Sequence, residues 1–91
     1  MNFSEALEKA KQGHKIMREG WNGKGQWVCY MPSVTISQDL VNGRTRKFHT
    51  SGDLHVGGYF VIMTAQKVWQ PGWLASQGDM LAEDWCSETV E

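Results

Sequence analysis

Apolar residues near the start of the chain recur at helical spacing. Phe3, Ala6, Leu7 and Ala10 fall on one stripe, and Asn2 with Glu5 makes a capping-box pattern, so the spacing predicts a helix over residues 2–12. Glu5 and Lys9 form an i,i+4 pair on its surface, and Gly13 is a left-handed stop. Residues 14–18 read as a short strand. The runs Trp27-Val28-Cys29-Tyr30-Met31 and Tyr59-Phe60-Val61-Ile62-Met63 read as two more. A half-buried strand alternates apolar with polar residues, and these two do not. One face is expected to cover the helix and the other to meet a neighbouring subunit.

The middle of the chain is less regular. Residues 34–36 and 46–49 are candidate strands around an Asn42-Gly43 turn, and Pro71-Gly72 fits a type II turn with Trp69 and Trp73 on its two sides. Ser76-Gln77-Gly78-Asp79 forms a second capping box, with Asp where Glu is usual. It predicts a short helix over residues 77–82, with Met80 and Leu81 pointing inward. Residues 84–86 then form a last strand. These elements give an α+β class: an N-terminal helix on a small bent antiparallel sheet, and a short second helix before the final strand.

Ninety-one residues make one domain, 1–91, with 32–58 as an insertion-like region. At this size roughly 60–65% of the unfolded surface can be buried, and partner subunits often supply the rest of the stability. No run of 18 apolar residues exists to span a membrane. The N-terminus lacks the apolar core of a secretion signal, so a cytoplasmic location is expected. There Cys29 and Cys86 are expected to be free thiols. Net charge is −1, but residues 1–67 hold nine basic and five acidic residues while 68–91 hold five acidic and none basic. Without a basic excess or stripe, bulk nucleic acid is not an expected partner.

Two stretches carry candidate chemistry. Asn22-Gly23-Lys24-Gly25 is explained as a tight turn, but that leaves Arg18, Trp21 and Lys24 crowded around it. A stacking ring, a guanidinium and exposed N–H groups suit a phosphorylated nucleotide. The second is the Ser76 helix start, whose N–H groups suit a phosphate or carboxylate, with Trp73 just ahead of it. Its plainer reading is a capped turn packed between two core tryptophans. Arg44, Arg46, Lys47 and His49 form a basic cluster, ordinarily a solvated face or else a rim for anionic ligands. The three histidines and two cysteines lack metal-ligand spacing, so neither a metal nor a cofactor is expected.

Ser76-Gln-Gly-Asp-Met-Leu-Ala-Glu-Asp-Trp85 closely resembles the C-terminal signature of the Thoeris anti-defence 2 family of small phage and prophage proteins. Met1-Asn-Phe-Ser-Glu-Ala-Leu7, Arg18-Glu-Gly-Trp-Asn-Gly-Lys-Gly25 and Trp27 resemble the same family, in the same order. The likeness covers residues 1–31 and 59–86. Thoeris defence uses a TIR-domain enzyme to make a cyclic ADP-ribose isomer that activates a lethal effector. The resemblance implies a sponge that binds this signal without degrading it, and some family members also hold cyclic dinucleotides at a separate site. It further implies a homo-oligomer, a tetramer built from dimers, with ligand pockets at subunit interfaces.

The matching ligand-binding candidates are Arg18, Trp21, Asn22, Lys24, Trp73, Ser76, Gln77, Asp79 and Met80. By their chemistry, Trp21 or Trp73 would stack on adenine, and Asn22 or Asp79 would bond base or ribose hydroxyls. Arg18 and the Ser76 helix start would hold the diphosphate. Two rival readings stand beside the sponge. A cyclic-nucleotide hydrolase would need an activated water near Asp79, Glu83 and Asp84, although neither motif holds a histidine. A structural or host-factor-binding phage protein would use its tryptophans only in a core or a flat interface.

Overall fold

A computed structural model describes residues 1–37, 43–48 and 52–89. Helix α1 spans Phe3–Lys11. The Asn2 side chain accepts from Glu5 N at its start, and the Glu5 side chain accepts from Asn2 N, which completes the capping box. Gly13, at φ 97°, turns the chain out of the helix into strand β1, Lys15–Arg18. Strand β2 is Trp27–Met31, β3 is Val34–Ile36, β4 is Leu54–Val56, β5 is Tyr59–Met63 and β6 is Trp69–Pro71. Helix α2 spans Gln77–Leu81 and strand β7 spans Trp85–Glu88.

Five strands form one sheet in the order β6-β5-β2-β1-β7, with antiparallel neighbours throughout. Residues opposite each other in the register share a face. Ile16 pairs with Val28, Val28 with Ile62, and Arg18 with Trp85, which sets all of these on the side covered by α1. The core there is Ala6, Ala10, Ile16, Val28 and Trp85, joined by half-buried Phe3, Trp21, Phe60, Ile62 and Trp73. Ala6 and Ala10, fully buried, let the helix backbone approach the sheet closely.

The opposite face carries Met17, Trp27, Cys29, Val61 and Met63. This is the second apolar face that the unalternating strands predict. On it the Trp27 ring meets the Trp69 ring edge-on at 5.8 Å, and the Lys15 ammonium lies 4.4 Å from the Trp27 ring centre. Strand β6 closes one edge, and Pro71, which has no N–H to offer, sits where an edge strand tolerates it.

Two sequence expectations are corrected. Residues 46–48 are a single 3₁₀ turn rather than a strand, and β3 pairs instead with β4, Val34 facing Val56 and Ile36 facing Leu54. Those two strands alternate in matching register, which the basic 46–49 run does not. His49 and Asn42 lie outside the described residues. The segment before Pro71 is strand β6, joined to β5 through Ile62 and Gln70, and Gly72 beyond it takes φ 87°, as the expected turn requires. Met80 and Leu81 point outward, 49% and 77% exposed, because the inward place on α2 belongs to Asp79.

Candidate functional site

Two segments about sixty residues apart in the chain meet beside Trp85: the turn after β1 and the capped helix α2. Asp79 is the junction. As the third residue of α2, its backbone N donates to the Ser76 hydroxyl at 3.0 Å, and its Oδ2 accepts from Ser76 N at 3.1 Å. Its Oδ1 accepts from Arg18 Nη1 at 2.8 Å and from the Trp21 indole N–H at 3.0 Å. Its carbonyl oxygen accepts from the Trp85 indole N–H at 2.9 Å. One acidic residue thus satisfies two tryptophans, an arginine and a helix cap.

Arg18 reaches a second carboxylate as well. Its Nε donates to Asp84 Oδ1 at 2.8 Å, while Asp84 Oδ2 accepts from Gly20 N at 2.7 Å. Two acids around one guanidinium leave the cluster with a net negative charge. Burial works against the Asp79 charge, but the hydrogen bonds from Trp21, Arg18 and Ser76 outweigh it and hold the carboxyl at about 2. The hydrogen bond from Arg18 likewise lowers Asp84, and the bonds to Asp84 and Asp79 raise Arg18. All three groups are ionised at neutral pH.

The tryptophans form a cluster of edges and faces. Trp21 meets Trp85 at 5.4 Å and Trp73 at 6.3 Å between ring centres, and Trp73 also meets Phe60 at 6.1 Å. Both Trp21 and Trp73 are half-buried and pack against the core without being fully enclosed. Packing of this kind fixes ring planes more firmly than packing on aliphatic side chains.

The structure thus brings Arg18, Trp21, Trp73, Ser76 and Asp79 into one cluster. Asn22, Lys24, Gln77 and Met80 lie exposed in the same two segments. The Asn22 turn is held by Gln26, whose side-chain amide donates to Asn22 O at 2.7 Å and Gly23 O at 3.2 Å. Gly23 and Gly25 take φ of 99° and 83°, the left-handed conformation that the Asn-Gly turn signal predicts. Arg18 spends its Nε and Nη1 on the chain's own carboxylates, and Asp79 takes the Ser76 N–H at the helix start. Sequence reasoning missed Asp84 and Gly20 as parts of this cluster. Only the opposite charges of the two segments hinted at their meeting.

Other candidate chemistry lies apart. Burial raises both Cys29 and Cys86, which makes their thiols poor nucleophiles, and both are free. Among the described residues no three His, Cys, Asp or Glu side chains gather as a metal site, and no helix is long and apolar enough to cross a membrane.

Residues 1–87 match the family model described as Tad2-like, a Thoeris anti-defense 2-like domain. The chain belongs to this family. It is also similar to Thoeris anti-defense 2 of Bacillus phage SP01, 36% identical over 85 residues that span 93% of this chain and 91% of the relative. For a Thoeris anti-defense 2-like chain the match runs through the cluster and the intervening residues 32–58 alike. The family is named for an inhibitor's role rather than a catalyst's.

Proposed function

We propose that this protein is a phage anti-defence sponge that binds a cyclic ADP-ribose isomer, holds it intact and so keeps the Thoeris effector silent in the host cytoplasm. The observation that carries this reading is the family match over residues 1–87, with both motifs built around one cluster of tryptophans. Half-buried Trp21 and Trp73 are the rings that stack on adenine. Lys24, exposed on the glycine turn, is the outward-facing cation for the diphosphate, and Asn22, Gln77 and Met80 line the approach. The Ser76 cap holds α2 in place. The apolar sheet face opposite α1 is covered by a second copy of the chain, as the first step toward a tetramer of two dimers.

Calorimetric titration with a panel of cyclic ADP-ribose isomers and cyclic dinucleotides tests the proposal. At least one isomer should bind at about one site per interface, and it should be recovered chemically unchanged after denaturation. Recovery of a cleaved product would establish the hydrolase reading in its place. Absence of heat with every nucleotide would favour a structural or host-factor-binding role.

A further inference from the structure

Gly20, Asp84, Arg18 and Asp79 form a chain of contacts that begins at a backbone N–H and ends on the Trp21 ring. Asp84 grips Gly20 N with one oxygen at 2.7 Å and Arg18 Nε with the other at 2.8 Å. The guanidinium then donates through Nη1 to Asp79 Oδ1, which also holds the Trp21 indole N–H. A planar guanidinium with donors at fixed angles transmits orientation from one carboxylate to the other, which a flexible ammonium would not do. We propose that Asp84 is a positioning residue for the ligand site, acting through Arg18 and Asp79 on the setting of the Trp21 ring. The inference rests on the nucleotide-binding reading above.

Two observations separate this role from direct phosphate binding by Arg18. Two carboxylates face one guanidinium, so the cluster presents an anion a net negative charge, and the Arg18 side chain is only 21% exposed. The second is Gly20. It is not among the glycines with positive φ, so no backbone requirement explains it. A Cβ at this position would lie 2.7 Å from Asp84 Oδ2. Gly20 is therefore the residue that lets the Asp84 carboxylate reach the main chain.

The same fact supplies the test. Asp84→Asn weakens the grip on Arg18, and Gly20→Ala pushes the Asp84 carboxylate away while keeping every charged group. Each variant of the full chain is titrated with the cyclic ADP-ribose isomer that the parent binds most tightly. Its ¹⁵N-indole spectrum and its mass by light scattering are recorded as well. Both variants should keep the parent's mass, shift the Trp21 indole resonance more than that of Trp85, and bind about tenfold or more weakly. Parent-like affinity in both variants would overturn the inference alone, as would lost affinity with the Trp21 resonance unmoved. Unfolding of both variants would assign Asp84 to the fold instead and overturn it too. Failure of the parent to bind any isomer would remove the proposed function, and this inference with it.

Discussion

Asp79→Asn removes one charge from the centre of the cluster and keeps the shape of the side chain. The Asn oxygen can still accept from Arg18 and Trp21, but its amide N–H₂ then faces the Ser76 N–H, donor against donor. The hydrogen bonds to the native carboxylate overcome burial and lower it from 3.8 to about 2. At about 1.4 kcal/mol per unit, that difference stabilises the folded state by roughly 2 kcal/mol. Asp79 is only 8% exposed, so solvent screens little of this. Because the folded carboxyl is the stronger acid, the stabilisation is complete above the unfolded value of 3.8 and disappears as pH falls toward 2. Urea unfolding followed by tryptophan fluorescence, at fixed protein concentration, measures it directly. At pH 7 the Asn variant should be less stable than the parent by at least about 2 kcal/mol, the facing donors adding to the lost charge. That gap should narrow by roughly 2 kcal/mol between pH 4 and 2, since every other acid is common to both, while the donor–donor clash remains. Equal stability at pH 7, or parallel loss across that window, would refute the reasoning.

Two further outcomes follow from the packing. Trp73→Ala empties a space bordered by Trp21, Phe60 and Trp85, so its melting temperature should fall with a loss of roughly 3 kcal/mol; a variant that melts with the parent would make Trp73 a ligand-facing ring alone. Light scattering at micromolar concentration should give a multiple of the 10.3 kDa chain mass, and a solution of monomers alone would remove the second copy from the apolar sheet face.

Both helices were legible in the sequence because their signals are local. A capping box needs only residues three apart, and both boxes formed as the spacing required. The glycine turns were legible for the same reason, since positive φ is a property of one residue. The lack of alternation in β2 and β5 also foretold an apolar face that α1 does not cover. The family itself was legible in two motifs.

The meeting of those motifs was decided only by tertiary structure. Along the chain the basic excess ends at Lys67 and the acids crowd beyond it, a pattern that gives opposite charges without saying which side chains meet. In the fold β1 and β7 pair, Arg18 falls opposite Trp85, and Asp79 within α2 and Asp84 just after it close around the guanidinium. That pairing turned Asp79 inward and Met80 and Leu81 outward, against the apolar pattern of α2. Five residues of helix bury too little apolar surface to choose their own face. A carboxylate with three charge-assisted or N–H donors waiting for it chose instead, and helical periodicity carries no record of where those donors lie.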